Sequence, residues 1–309
     1  MSTILITGGT GFIGSRLVKY LAAHGHRVRV MVVENDPLVS SLAGVACEVV
    51  TGDITRPKSL ECTLSGVRTV FHLAAVLYSH DAGLFRKINL EGTKNLLEAS
   101  VRAGVEHFVY VSAAAAGYRV RTSYGETKHL AEELMRVPRE RTSFTIVRPT
   151  LVFGPSGGGQ ELVMYVERLR EFRWFIPLVG SGKAKKRWVF VDDLIAGLAL
   201  VVGRTVSFGK VYNFGGADVH TMREYTRMLC RRLNISKPIV PVPVWICYVV
   251  AWLLRVVRRS PLLKRDTIVG VTMDADVDIE PARRELGYQP VTFEDWLFTG
   301  TAHDPFWDS

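Results

Sequence analysis

The chain contains few cysteines and no apolar run long enough to cross a bilayer as a helix. Its four cysteines, Cys47, Cys62, Cys230 and Cys247, are scattered among 309 residues without a C-x-x-C pair. This distribution excludes a disulfide-rich secreted scaffold and offers no clustered ligands, so no metal site is expected. The longest uninterrupted apolar stretch, 244–254, has 11 residues, against about 20 for a membrane-spanning helix.

No signal peptide is expected, and the sequence contains neither internal repeats nor low-complexity tracts. The N-terminus enters an apolar segment at once, without the basic region and apolar stretch that mark a signal peptide. Without repeats or biased composition, neither a solenoid nor a disordered chain is expected. The chain is 48% hydrophobic, which supports a core for one large α/β unit and a smaller lobe. We expect a cytoplasmic protein with reduced thiols.

Basic side chains outnumber acidic ones, 39 to 30, for a formal net charge of +9. Such a balance raises nucleic acid as a partner. Aromatic residues do not interleave with the basic ones, however, and no nucleic-acid motif is present. We therefore expect a small-molecule substrate and no nucleic acid. The densest basic cluster is Lys183, Lys185, Lys186 and Arg187, which is either a solvated loop or a site for a substrate phosphate.

The segment from Thr7 to Gly14 reads TGGTGFIG and directly follows an apolar run at 4–6. Apolar residues at helical spacing come after it and predict a helix. A strand, a glycine turn and a helix place backbone N–H groups at a helix N-terminus, where a pyrophosphate binds favourably. Gly8 allows the tight turn, Gly11 the approach of the phosphates, and Gly14 the close packing of helix on strand. The predicted dinucleotide contacts in this motif are Gly8, Gly11, Phe12, Ile13 and Gly14.

Strand and helix patterns alternate up to about residue 154. Strands are predicted at 3–7, 28–33, 46–50, 69–73, 107–112 and 144–148. This alternation predicts an α/β fold with a doubly wound parallel sheet, in which ligands bind at the carboxyl ends of the strands. We expect a Rossmann-like dinucleotide-binding domain over 1–154, to which strands of 187–216 contribute. Residues 155–309 are expected to form a smaller, mostly helical substrate lobe.

Tyr124 and Lys128 are spaced to share one face of a helix. A free tyrosine has a pKa near ~10, which is too high for easy proton exchange at neutral pH. A cation close by stabilises the phenolate and lowers that pKa, which makes the tyrosine a usable acid or base. The pair therefore predicts proton transfer at a substrate oxygen.

Taken together, these motifs resemble the extended short-chain dehydrogenase/reductase superfamily. The G-x-x-G-x-x-G turn lies at the N-terminus, N-L-E-G-T-K-N-L-L begins at Asn89, and Y-x-x-x-K begins at Tyr124. The resemblance spans about residues 3–298 and implies that Lys128 also holds the nicotinamide ribose. In sugar-nucleotide members, a residue matching Arg187 binds substrate phosphate. The further cofactor contacts that the resemblance implies are Asp53, Ile54, Leu73, Ala74, Ala75, Asn89, Pro149 and Thr150.

One position departs from the family pattern. A second hydroxyl usually follows the first at the strand end before the tyrosine, but this chain has Ser112 and then Ala113. Ser112 is the remaining candidate for a catalytic hydroxyl. The S-A strand end and the short interval to Tyr124 resemble the atypical branch related to the complex I 39-kilodalton subunit, which includes members that bind NADPH without obvious turnover. We expect an NAD(P)-dependent oxidoreductase acting on a carbonyl or alcohol carbon. The alternatives are a nucleotide-sugar epimerase/dehydratase and a non-catalytic NAD(P)H-binding accessory protein.

The end of the second predicted strand bears on the choice between NAD and NADP. An acidic residue there favours NAD and an arginine favours NADP. Val32 and Val33 occupy the usual positions, and Glu34 is the nearest acid. If Glu34 binds the ribose hydroxyls, NAD is slightly favoured over NADP. The sequence leaves both cofactors open.

Residues 241–259 read PVPVWICYVVAWLLRVVRR. Pro243 suits a helix start, and basic residues follow the apolar run. One interpretation is a core helix of the substrate lobe, and the other is a helix that contacts a membrane surface or a hydrophobic substrate. The segment resembles the matching helix of sterol-dehydrogenase and flavonol-reductase relatives, which implies a lipophilic substrate. Peripheral association with the cytoplasmic face of a membrane and a homodimer are further expectations.

Overall fold

A computed structural model describes residues 2–79, 81–137, 141–155, 159–256, 265–300 and 305–308. The chain divides into two compact units that are interleaved along the sequence. Unit 1 comprises Met1–Pro149, Asp192–Phe214 and Asp278–Gln289. Unit 2 comprises Thr150–Val191, Gly215–Val277 and Pro290–Ser309. Segments from the C-terminal half thus complete the N-terminal unit.

The strands of the described residues are short in unit 2 and longer in unit 1. They are β1 (Thr3–Thr7), β2 (Arg27–Val32), β3 (Cys47–Thr51), β4 (Val67–His72), β5 (His107–Val111), β6 (Ser143–Pro149), β7 (Val152–Phe153), β8 (Ile176–Val179), β9 (Lys185–Lys186), β10 (Val189–Phe190), β11 (Lys210–Phe214), β12 (His220–Thr221) and β13 (Ile239–Val242). The six strands predicted before residue 150 are all present, each displaced by at most two residues at either end.

Helices flank these strands throughout the described ranges. They are α1 (Phe12–Ala23), α2 (Leu60–Thr63), α3 (Ala82–Phe85), α4 (Thr93–Arg102), α5 (Ser123–Met135), α6 (Gln160–Glu171), α7 (Val191–Val201), α8 (Met222–Arg232), α9 (Val244–Val256), α10 (Arg265–Thr272), α11 (Glu280–Leu286), α12 (Phe293–Asp295) and α13 (Pro305–Asp308). None of the helices in the described ranges combines the length and apolarity that crossing a membrane requires.

Unit 1 is built on a seven-stranded parallel sheet in the order β11-β6-β5-β4-β1-β2-β3. The central strands β1 and β5 are buried at every residue, as expected for a parallel sheet covered on both faces. The chain runs outward from β1 to β3 and then returns to β4 on the other side of β1. This reversal creates a topological switch point between β1 and β4, where doubly wound sheets bind their ligands. The predicted Rossmann-like fold is confirmed.

Unit 2 has its own core and only short strand pairs. β7 pairs with β10 and β8 with β13 in parallel, and β9 pairs with β12 antiparallel. An aromatic cluster fills the core, in which Trp188 stacks on Tyr225 at 4.0 Å and Phe293 packs edge-on against both. Helices otherwise dominate this unit. The basic end of the 241–259 segment, residues 257–259, lies outside the described residues.

Candidate active site

The glycine turn after β1 has the geometry of a phosphate-binding loop. Gly8 adopts a φ of +69°, a conformation that favours glycine. A Cβ on Gly14 would lie 2.0 Å from the Gly8 carbonyl oxygen, so Gly14 is needed for the turn itself. A Cβ on Gly11 would meet nothing closer than 3.4 Å, which leaves its surface open. Helix α1 begins at Phe12 without a side-chain cap, so the N–H groups of its first turn lack intrahelical acceptors.

The segment after β4 lies directly against this turn. A Cβ on Gly8 would be 2.7 Å from the backbone nitrogen of Ala74, so any side chain there would collide with the 73–75 segment. The Leu73 N–H donates to the Thr7 carbonyl at 3.1 Å, and the Ala74 N–H to the Thr7 hydroxyl at 3.3 Å. The structure therefore brings together two sets of predicted cofactor residues that lie more than 60 positions apart.

The buried side chain of Asn89 supports this segment through hydrogen bonds. Its side chain is only 1% exposed and forms two hydrogen bonds with the backbone of Val76, at 2.8 and 2.9 Å. The amide donor and acceptor are thus engaged by the protein itself. Asn89 holds the strand-end segment in place, and its direct contact with the cofactor stays a prediction.

His72 links the two strands of the switch point to helix α4 and was not predicted. Its Nδ1 lies 2.6 Å from the Thr7 hydroxyl and its Nε2 lies 2.9 Å from the Thr93 hydroxyl. The Thr93 hydroxyl donates to the Asn89 carbonyl, which assigns the imidazole proton to Nε2. Burial, together with the charge of Lys128, lowers the pKa of His72 to about 3. The histidine is therefore neutral at physiological pH.

Helix α5 carries the tyrosine and lysine of the Y-x-x-x-K motif. The Thr122 hydroxyl caps its N-terminus by accepting from the Gly125 N–H at 3.1 Å. Tyr124 in the first turn is half-buried. Lys128, one turn later, is 1% exposed, and its ammonium donates to the Val111 carbonyl at 2.7 Å.

The Lys128 ammonium also lies 4.2 Å from the centre of the Tyr110 ring, within the range of a cation–π contact. Burial lowers the pKa of Lys128 to about 7, against the opposing effect of the Glu132 carboxylate. A cation held this far from water is the kind of group that stabilises a phenolate close by.

Ser112 forms a hydrogen bond with a buried carboxylate that was not predicted from the sequence motifs. Its hydroxyl donates to Glu132 Oε1 at 2.5 Å, and Glu132 is fully buried. Arg148 completes the network with two bonds to the same carboxylate, from Nε at 2.9 Å and from Nη2 at 2.5 Å. Because its proton is committed to Glu132, Ser112 cannot donate to a substrate oxygen without breaking this bond. Glu132 follows Lys128 by four positions, so the helical spacing carried a signal for it.

The loop after β2 places a different acid from the predicted one beside the glycine turn. Glu34 is exposed, whereas the next residue, Asn35, has a φ of +57° that turns the chain back. Asp36 Oδ2 then accepts from the Thr10 hydroxyl at 2.9 Å. The Asn-Asp turn signal was present in the sequence and could have identified Asp36.

Asp53 and Ile54 follow β3 and form a closed turn. The Asp53 carboxylate accepts from both the N–H and the hydroxyl of Thr55, each at 2.8 Å. Ile54 is 6% exposed, and a Cβ on Gly92 would lie 2.7 Å from its Cδ1. The turn is thus held by its own contacts, and Asp53 remains half-buried.

The remaining predicted residues fall at the end of unit 1 and in unit 2. Pro149 is buried at the end of β6 in unit 1, and Thr150 begins unit 2. Arg187 in unit 2 pairs with Asp276 at 3.1 Å and donates to the carbonyl oxygens of Gly216 and Ala217 at 2.9 and 3.2 Å. The guanidinium predicted to bind a substrate phosphate is therefore already paired within its own unit.

The neighbouring Lys186 is likewise engaged. Its side chain is 6% exposed, and its ammonium donates to the carbonyl oxygens of Gly270 and Met273. Two of the four cations in the predicted basic cluster thus serve the structure of unit 2.

Comparison with known proteins gives a consistent result. The model of the NAD dependent epimerase/dehydratase family matches residues 4–215. The 2-alkyl-3-oxoalkanoate reductase of Stenotrophomonas maltophilia is 28% identical, over 95% of this chain and 97% of its own. The 3 beta-hydroxysteroid dehydrogenase/Delta 5-->4-isomerase of Mycobacterium tuberculosis is 29% identical, over 94% of this chain and 87% of its own.

Among solved structures, the dTDP-glucose 4,6-dehydratase DesIV double mutant from Streptomyces venezuelae, solved with NAD and DAU bound, superposes with a TM-score of 0.76. It is 26% identical and the match covers 98% of this chain and 96% of the other. The similarity therefore extends well beyond the dinucleotide-binding motif and includes both units.

Proposed function

Because the chain belongs to the NAD-dependent epimerase/dehydratase family, we propose that it is an oxidoreductase acting on a carbonyl or alcohol carbon of a lipophilic small molecule. The observation that carries the proposal is the position of the half-buried Tyr124 one turn before the buried Lys128 on α5. An NAD(P)-dependent enzyme of this family needs a group that exchanges the proton of the reacting oxygen. We assign that role to Tyr124.

The glycine turn fits NAD. Gly11 leaves space beside the first turn of α1, and the N–H groups there are suited to a pyrophosphate. When bound, NAD accepts or supplies the hydride. Phe12, Ile13 and Gly14 would hold the phosphates through their backbone N–H groups.

Tyr124 and Lys128 divide the proton chemistry between them. In alcohol oxidation, the hydroxyl proton passes to the Tyr124 phenolate while the carbon loses its hydride. In the reverse direction, the Tyr124 hydroxyl returns the proton to the oxygen. The Lys128 ammonium lowers the pKa of the phenol by stabilising its anion, and in this proposal it also binds the ribose hydroxyls of the bound cofactor.

Asp36 supports NAD over NADP. Its carboxylate lies against Thr10 of the glycine turn, whereas Glu34 points into solvent as an exposed side chain. A carboxylate at the end of the second strand accepts from ribose hydroxyls and repels a 2′-phosphate. We therefore transfer the role proposed for Glu34 to Asp36.

The pairing of two cations in the basic cluster favours a lipophilic substrate over a nucleotide sugar. Arg187 and Lys186 are paired within unit 2, so neither is a free cation for a diphosphate. The two relatives described above are named for an alkyl-bearing oxoalkanoate and for a hydroxysteroid. The proposal also includes contact of the 241–259 segment with a membrane, where such a substrate would reside. It further includes a homodimer.

The test is an assay of NADH oxidation with a panel of lipophilic ketones, and of NAD reduction with the matching alcohols. Tyr124→Phe should lower kcat by at least about 10²-fold, since general acid–base catalysis contributes on that order, and it should keep the affinity for NAD. Tyr20→Phe, on the surface of α1, is the control and should keep full activity. Near wild-type turnover in Tyr124→Phe would refute the role of the tyrosine. Epimerisation of nucleotide sugars without ketone reduction would favour the epimerase, and NAD binding without turnover of either panel would favour the accessory protein.

A further inference from the structure

Helix α9 of unit 2 presents a stripe of large apolar side chains to solvent. Trp245, Tyr248, Val249 and Trp252, called here the α9 stripe, are 68%, 39%, 47% and 63% exposed. Their spacing of three, four and seven positions places them on one face of the helix. Cys247, on the opposite face, is 5% exposed. The helix therefore buries its small side and exposes its aromatic side, which disfavours the interpretation of this segment as a core helix.

Exposed apolar residues scattered singly need no explanation, but a continuous stripe with two tryptophans does. No charged residue interrupts the sequence from 238 to 254, so the stripe has no charged residue that would suit it to water. Tryptophan and tyrosine are the side chains that prefer the boundary between lipid and water, because each joins an apolar ring to a polar group.

The sequence beyond the stripe is strongly basic. Residues 255–265 contain five cations, Arg255, Arg258, Arg259, Lys264 and Arg265, and no acidic residue. Basic residues that follow an apolar helix in the sequence are attracted to anionic lipid headgroups. The apolar stripe favours a lipid–water boundary through burial of its rings, and the basic residues favour anionic lipid through their charge. Both features therefore point to the surface of an anionic membrane.

The dimensions of α9 distinguish lipid from other occupants. Its 13 residues correspond to about 20 Å, so it lies in a membrane interface and does not span the bilayer. A stable dimer buries about 800 Å² per partner, or some 20–30 residues a side, far more than the exposed side chains of one 13-residue helix provide.

We propose that unit 2 binds the surface of an anionic lipid bilayer, with the α9 stripe inserted among the headgroups. The cations that follow α9 in the sequence add attraction to anionic lipid. The proposal rests on residues of unit 2 alone and does not depend on the hydride chemistry assigned to unit 1. It names the surface at which a lipophilic substrate would be met.

The experiment is co-sedimentation of the full chain with vesicles of phosphatidylcholine, with and without phosphatidylserine. Trp245→Ser combined with Trp252→Ser should weaken binding to both kinds of vesicle by at least about tenfold. Each substitution removes a ring whose transfer from water into the membrane interface favours binding. Replacing Arg255, Arg258 and Arg259 by Gln should remove most of the gain from phosphatidylserine and leave the binding to phosphatidylcholine vesicles unchanged.

Trp174→Ser is the matched control. Trp174 is 76% exposed and precedes β8, whereas α9 follows β13, which runs parallel to β8. The two sites therefore lie at opposite ends of this strand pair, and the control should bind vesicles like the wild type. Thermal unfolding midpoints establish that each variant is folded.

Three results would overturn the proposal. The first is no binding of the wild type to vesicles that contain phosphatidylserine. The second is equal loss in Trp174→Ser and in the stripe variant, which would mean nonspecific adsorption. The third is a wild-type dimer that dissociates in the stripe variant during sedimentation, which would assign the stripe to a second copy. Ketone reduction in detergent-free solution is measured separately, so failure of membrane binding and failure of the proposed chemistry are distinguishable.

Discussion

The buried Lys128 should make the stability of the protein rise with pH above neutrality. Burial lowers the pKa of its ammonium from 10.5 to about 7 in the folded protein. Between these two pH values the unfolded chain binds one more proton than the folded protein does. The free energy of unfolding therefore increases as pH rises from about 7 to 10.5, and this gain is lost as pH falls back through that range to the folded-state pKa. The whole difference corresponds to at most about 5 kcal/mol at ~1.36 kcal/mol per pH unit, of which about 2 kcal/mol falls between pH 7 and 9.

The assay is urea unfolding of the protein without cofactor at pH 7, 8 and 9. Lys128→Met keeps a side chain of similar length and removes the charge, so the variant should lack this gain of about 2 kcal/mol between pH 7 and 9. The Val111 carbonyl loses its donor in the variant, at a cost that does not depend on pH. The informative quantity is therefore the slope with pH and not the stability at one pH.

Lys19→Met is the control for this experiment. Lys19 is exposed on α1, so its replacement should leave the wild-type slope unchanged. An unchanged slope in Lys128→Met would show that the ammonium is not desolvated in the folded state, and the reasoning from burial would be refuted. If the prediction holds, the protein accepts a less stable fold in order to keep a buried lysine at its active site.

Five further outcomes are expected at the same site. The pKa of His72 is lowered to about 3, so wild-type stability should fall as pH drops from 6.5 towards 3, and His72→Gln should lack that dependence in acid unfolding. Gly11→Val should fold and lose NAD binding in calorimetry, because its side chain fills the phosphate space; unchanged affinity would contradict the assigned site. Asp36→Asn should reduce the preference for NAD over NADP in competition binding. Ala113→Ser should raise kcat if the missing hydroxyl limits the reaction, since one oxyanion donor is worth about 10²–10³-fold. Ser112→Ala should chiefly cost stability, about 1–3 kcal/mol in urea; a large loss of rate there, with no gain at Ala113, would make Ser112 the donor.

The local pattern of the sequence was enough to predict the dinucleotide-binding half of the fold. Alternating apolar runs, a glycine turn and helical spacing each involve residues within about 15 positions of one another, so they can be recognised without tertiary contacts. The same holds for Tyr124 and Lys128, which share a helix face by spacing alone. The family, which is an NAD-dependent one, and the parallel sheet are confirmed.

The tertiary structure decided which partner each side chain has. Ser112, Glu132 and Arg148 come from a strand end, a helix and the next strand, and the order of strands in the sheet brings them together. Likewise, Asp36 and not Glu34 reaches the glycine turn because Asn35 takes a left-handed conformation.

Exposure also had to be read from the structure. The apolar run of α9 is compatible with a core helix or a surface helix, because composition gives the apolarity of a segment but not the neighbours that cover it. Only the packing of unit 2 shows that Trp245 and Trp252 face water while Cys247 faces the interior. Short-range spacing thus determined the elements of this protein, and long-range packing determined the hydrogen-bond partners and the exposed surfaces.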